Sequence, residues 1–158
     1  MRIWIMPLLL LAVACGSSVA TGADNGQGYR TKTANANFEA TWFDLQNAIV
    51  DRGLVIDYTG HVSKMLDRTS QATGAGSPYI DGRYVLFCSA KLSQAAMQAD
   101  PNNLAVCPYI VFAYELKAKP GVTVVGYRRP LASEKAASAS ALSAIEKLLN
   151  DLITEATQ

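Results

Sequence analysis

Histidine occurs once in this chain, at His61, and cysteine three times, at Cys15, Cys88 and Cys107. A serine triad would have to use His61, and no G-x-S-x-G turn is available to hold out the serine. No two cysteines stand in C-x-x-C spacing, the usual signature of a dithiol redox centre. Blocks of like charge and internal repeats are also missing. Arg2 is the only charge before Asp24, so the chain beyond it carries 13 basic and 13 acidic residues, a formal balance of zero. Nucleic acid and anionic membrane surfaces therefore have no electrostatic hold on it, and no nucleic-acid partner is expected. Beyond residue 14 no run is continuously apolar enough to cross a bilayer.

The beginning of the chain does carry an apolar run. Met1-Arg2 followed by residues 3–14 has the form of a signal peptide, its h-region too short to span a membrane. Two processing readings are open. Ser18-Val19-Ala20 and Thr21-Gly22-Ala23 are A-x-A-like cleavage sites, which makes residues 1–23 the signal. Alternatively Ala12-Val13-Ala14-Cys15 is a lipobox, residues 1–14 are removed, and Cys15 carries lipid on a flexible tether of residues 16–29. The first expectation is a periplasmic protein and the second a membrane-anchored lipoprotein, with membrane contact only through that anchor. In either case about 130 residues remain, enough for one domain that hides roughly two-thirds of its unfolded surface.

Hydrophobic periodicity organises that domain, expected over residues 30–156. Residues 30–36 read as a strand, and Asn37 is placed to cap a helix over residues 38–52, in which Trp42, Leu45 and Ile49 form one apolar stripe. Gly53 is a C-terminal stop. Strands are expected over residues 54–59, 83–88, 109–116 and 122–128, with Lys119-Pro120-Gly121 turning the last pair. Residues 61–68 suit one or two helical turns with Val62, Met65 and Leu66 inward. Ser89 can cap a helix through Ala99, and Ser133 a final helix whose Leu142, Ile145, Leu148, Leu149 and Leu152 form another stripe. Strands joined by turns favour an antiparallel sheet with helices on one face, a two-layer α+β design.

Cys88 and Cys107 are the main chemical question. If residues 83–88 and 109–116 are antiparallel neighbours, the intervening segment must return to its origin. A helix of about ten residues rises about 15 Å, and the remaining residues can span that distance back. A disulfide between them is then reachable, closing a loop of about 20 residues worth roughly 3 kcal/mol. Two alternatives stay open. Cys88 at a helix N-terminus would have a lowered thiol pKa, as a redox-active pair needs. The same sulfurs could join His61 in a zinc site, or Met97 in a copper(I) site, although spacing offers no support for either. No residue set calls for a cofactor. Gly74-Ala75-Gly76 is a weak phosphate-loop pattern, since it follows no convincing strand and opens no helix. Asp57, Asp81 and Glu115 have ordinary explanations as strand-edge charges, and so do Arg128-Arg129 as a solvated strand end.

The tyrosines are the better lead. If the uncovered face of the sheet displays some of the rings of Tyr79, Tyr84, Tyr109, Tyr114 and Tyr127 beside Val111 and Ala113, that face suits a small ligand, a partner protein or a second copy.

Several short strings occur here in order: Phe87-Cys88-Ser89-Ala90, Met97 with Asp100-Pro101, Cys107-Pro108-Tyr109, Tyr114-Glu115 and Gly126-Tyr127-Arg128-Arg129-Pro130. Together with Met65-Leu66-Asp67-Arg68-Thr69 they resemble the exported branch of the "domain of unknown function 302" family, over about residues 30–155. The resemblance implies a β-α-β-β-β-β-α order, related in topology to the TATA-binding-protein fold and sometimes seen as a homodimer. It implies no activity, and topological kinship does not carry DNA binding with it. The expectation is an exported envelope domain that binds a small ligand or an envelope protein without catalysis. The alternative is a thiol redox or metal-handling role for Cys88 and Cys107.

Overall fold

Asn37 accepts a hydrogen bond from the Ala40 amide at 3.0 Å and opens α1, Phe38–Val50, where its side chain predicts. The computed structural model describes residues 28–130 and 133–158; the expected signal segment, Cys15 and most of the tether lie outside the described residues. Ahead of α1 runs β1, Tyr29–Thr33, and after it Gly53, at φ 70°, turns the chain into β2, Ile56–His61. Two short helices follow, α2, Val62–Arg68, and α3, Ser70–Thr73. In α2 the buried residue is Ser63, whose hydroxyl donates to Asp81, while Met65, expected inside, is exposed.

β3, Tyr79–Phe87, begins four residues earlier than alternation predicts, because a bulge between Tyr79 and Asp81 interrupts the pattern. Ser89 caps α4, Ala90–Ala99, by accepting from the Leu92 amide, and a 3-10 segment, Pro101–Val106, carries the chain back. β4, Tyr109–Leu116, and β5, Lys119–Arg128, complete the sheet. Their turn is Lys117-Ala118 rather than Lys119-Pro120-Gly121, and Gly121 N–H donates to Glu115 at 2.7 Å inside β5. The last helix is α5, Ala136–Glu155. Ser133 does not cap it: its hydroxyl accepts from Lys135 N–H at 3.3 Å, one residue outside the helix.

The strands form one antiparallel sheet in the order β1-β5-β4-β3-β2. The fold is α+β in two layers, as the sequence predicts. α1 brings Leu45 and Ile49, and α5 brings Ile145, Leu149, Leu152 and Ile153, onto Val85, Phe87, Val111, Val125 and Tyr127 of the sheet. α4 adds Ala96 and packs against α5. The core is thus confined to one face of the sheet. No helix among the described residues is long and apolar enough to cross a membrane.

Candidate functional site

Because side chains alternate along each strand, the register fixes which residues share the face the helices leave open. Thr31, Gly126, Phe112, Tyr84 and Gly60 are successive cross-strand partners and make one row across all five strands. Thr33, Val124, Tyr114 and Gly82 make the next. Glycine and ring are neighbours in both rows, and the contacts give the reason. A Cβ on Gly126 would lie 2.5 Å from Cζ of Phe112, and one on Gly60 would sit inside the Tyr84 ring. On Gly82 it would meet Cγ of Tyr79 at 3.2 Å. Each of these glycines therefore leaves to a ring the space that a Cβ would take.

The rings touch in two groups, brought side by side where Tyr84 and Phe112 are register partners. Phe112 and Tyr114 are nearly parallel, with an interplanar angle of 12° and centroids 6.3 Å apart, while Tyr79 leans on Tyr114 at 5.5 Å and Tyr58 on Tyr84 at 6.0 Å. Leu86, Ile110 and Leu116 fill between them, and Tyr29 and Val62 of α2 stand at the sides. The result is an open groove of about 720 Å³. Burial against this floor raises the Tyr114 hydroxyl pKa, with smaller contributions from Tyr79 and Tyr29. No lining residue is acidic. Arg128 closes the end of the groove beside Pro108, its guanidinium donating to the Pro108 carbonyl at 3.1 Å.

The predicted face divides. Tyr114 lies on the open side, but Tyr109, Val111 and Tyr127 are buried under the helices. The covered side of β4 is Tyr109, Val111 and Ala113, where small residues let α1 and α5 approach the sheet, and the larger Ile110, Phe112 and Leu116 are left outside. Tyr109 hydrogen-bonds Ser93 of α4 at 2.8 Å and meets Phe87 edge-on. Tyr127 points at Glu146 of α5, which accepts from Arg30 at 2.8 Å, Arg129 at 2.9 Å and the Tyr127 hydroxyl at 3.4 Å. Burial, then the Glu146 charge, pushes Tyr127 up to about 12, with Arg30 and Arg129 opposing. For Glu146 burial acts upward as well, yet the two arginines outweigh it and the net direction is down.

Cys88 and Cys107 form a disulfide, with Cα atoms 6.0 Å apart, between the end of β3 and the start of β4. The Cys107-Pro108 peptide is cis. His61 is exposed at the far end of β2, opposite Arg83. Since Arg83 is five residues from Cys88 along β3, His61 is about 16 Å from the sulfurs. Met97 is half-buried in α4. Among the described residues no cluster of three or more metal-ligating His, Cys, Asp or Glu occurs. Gly74 ends α3 in the left-handed conformation at φ 71° instead of opening a helix, so Gly74-Ala75-Gly76 lacks the geometry of a phosphate loop.

The architecture defines a two-layer α+β domain with one face of its sheet buried and the other lined by rings. The family described as "Domain of unknown function DUF302" matches residues 29–156, and the chain belongs to that family. Among solved structures it is similar to an uncharacterized conserved DUF302 protein from Bacillus stearothermophilus, at a TM-score of 0.69 and 16% identity. That likeness spans 83% of this chain and 98% of the other, and it shows the shared fold. No curated protein matches the chain.

Proposed function

We propose that this protein is an exported envelope domain that binds a small ligand, without catalysis, in the groove of its open sheet face. The observation that carries the reading is the ring-lined groove itself. Its volume of about 720 Å³ falls in the range of roughly 300–1,000 Å³ typical of small-molecule clefts. Its lining is mostly apolar or aromatic, with few polar groups to fix orientation. Export is supported by the signal-like first residues and by a disulfide of the kind that persists in oxidising compartments. The rival use of Cys88 and Cys107 in redox or metal chemistry has less support, because the sulfurs are bonded to each other and His61 lies far from them.

Two measurements test the reading. Amide shift mapping of the oxidised protein against a panel of small apolar molecules should move resonances of Tyr84, Phe112 and Tyr114 together. Shifts confined to other surfaces, or a face already occupied by a second copy or a protein partner at micromolar concentration, overturn it. Mass spectrometry of the envelope fraction should find an N-terminus at lipid-bearing Cys15 or just after residue 20 or 23. A retained Met1 in the cytoplasm overturns export.

A further inference from the structure

Gly60, Gly82 and Gly126 all lie on the open face, each beneath a ring: Tyr84, Tyr79 and Phe112 respectively. Glycine inside a strand is unfavourable by about 0.5–1 kcal/mol relative to alanine, so these positions work against local stability. What they provide is room. The space that a Cβ would take at 60 and 126 is filled by the Tyr84 and Phe112 rings, which come down onto the backbone and line the groove above it.

Ring faces stack well on other flat rings, and they also attract cations. The charges around the groove decide between these uses. No Asp or Glu lines it. Arg128 is exposed at the Pro108 end and makes no ion pair with a carboxylate among the described residues. The other lining arginine, Arg83, turns its guanidinium to the opposite face, where Asp81 and Glu39 hold it. The groove thus has one positive pole and no negative one, which repels a cation and attracts an anion. Arg128 is two residues along β5 from Gly126, so the pole is displaced from the Phe112 ring by about 7 Å along the sheet.

Building on the ligand-binding reading, we propose that the groove takes a planar aromatic carboxylate or sulfonate, its ring stacked on Phe112 and Tyr84 and its anionic group paired with Arg128. The ring supplies the contact area, and the guanidinium, a planar fork of donors, suits the oxygens of the acid.

Calorimetric titration of the oxidised protein with four probes tests this: 2-naphthoate, 2-naphthalenemethanol, 2-naphthylmethylammonium and decanoate. 2-Naphthoate should bind about tenfold or more tightly than the ammonium, the factor one charge-assisted hydrogen bond provides at the lower end of its range, and about fivefold more tightly than decanoate, which carries the same charge but no ring to stack. Arg128→Gln should weaken 2-naphthoate by about tenfold and leave 2-naphthalenemethanol unchanged. Phe112→Leu, which keeps apolar bulk and removes the ring, should weaken 2-naphthoate and 2-naphthalenemethanol and spare decanoate. Equal affinity for carboxylate and ammonium, no effect of Arg128→Gln, or decanoate binding as tightly as 2-naphthoate overturns the aromatic-anion assignment while ligand binding stands. Failure of all four probes to bind overturns the ligand-binding reading itself.

Discussion

Gly126 on β5 and Phe112 on β4 are register partners, and the Phe112 ring fills the space that any side chain at 126 would need. The second neighbour of that space is the backbone oxygen of Arg30 in β1, 2.6 Å from the position of a Cβ. Sheet pairing and the groove floor therefore meet at one residue.

Gly126→Ala should consequently be among the most damaging single-methyl additions to the open face. A ring can swing, but the Arg30 carbonyl is fixed by the β1–β5 ladder. We expect a loss of about 2 kcal/mol, within the usual range for overpacking, read from the urea midpoint. The three atoms nearest a Cβ at Gly60 all belong to the Tyr84 side chain, so the cost of Gly60→Ala should be smaller and should mostly disappear in a Tyr84→Ala background. Equal costs at both positions, or no coupling between 60 and 84, would show that the rings do not lie as described.

The Cys88–Cys107 bond closes a loop across a separation of 19 residues. Replacing both cysteines by serine, or reducing the bond, should lower stability by about 3 kcal/mol on the chain-entropy estimate. The sheet should persist, because Phe87 and Tyr109 remain paired and buried beside the lost bond. Denaturant unfolding with and without reductant checks the size, and thiol titration of the oxidised protein should find neither cysteine free. Two titratable thiols would remove the staple and return the corner to redox or metal chemistry.

Much of the fold was legible because the strongest signals are local. Asn37 and Ser89 cap the helices they were expected to cap, and the α1 and α5 stripes are the core. Alternation along residues 109–116 separates two sets of side chains, but apart from Glu115 both sets are apolar or aromatic. Periodicity cannot say which of two apolar faces the helices cover, and Tyr109, Val111 and Tyr127, expected on the open face, lie on the covered one. The deciding signal is side-chain size. Val111 and Ala113 admit helices, whereas Gly60, Gly82 and Gly126 in strand interiors mark the face where rings, rather than helices, approach the backbone. The start of β3 was missed because Asp81 and Gly82 are poor strand formers held there by a bulge and by pairing with Tyr114 and Glu115.

Tyr127 makes stability depend on pH at the alkaline end. Its folded-state pKa, pushed up to about 12, exceeds the ordinary value of 10.0, so the folded protein holds the proton more tightly than the unfolded chain. That contribution is complete below pH 10 and is lost as pH rises through 12, to the extent of about 3 kcal/mol. Tyr109 and Tyr114, also raised by burial, act in the same direction. Tyr127→Phe should therefore flatten, though not abolish, the fall in unfolding free energy measured between pH 9 and pH 12. An unchanged slope would mean that the hydroxyl is as well solvated as in the unfolded chain.

Arg83 acts on the face of the sheet opposite the groove. Its guanidinium lies 4.8 Å from the Phe38 ring centroid and 5.7 Å from that of Trp42, and it bonds both Asp81 and Glu39. Glu39 is 71% exposed and adds little, but the Asp81 side chain is only 21% exposed and also accepts from Ser63 and the Gly82 amide. Burial raises the Asp81 pKa, while the hydrogen bond and charge of Arg83 bring it below the ordinary 3.8. Arg83→Leu leaves that carboxylate without its cation and should cost about 2 kcal/mol at pH 7. Arg83→Lys should recover little, since a single ammonium cannot serve two carboxylates and stack on two rings. A depressed folded pKa contributes stability above the unfolded value that disappears as pH falls through the folded one. The cost of Arg83→Leu should accordingly shrink between pH 7 and pH 3, and Asp81→Asn should remove most of that pH dependence. A cost that is the same at both pH values would place the role of Arg83 in its stacking on Phe38 and Trp42 and not in its charge.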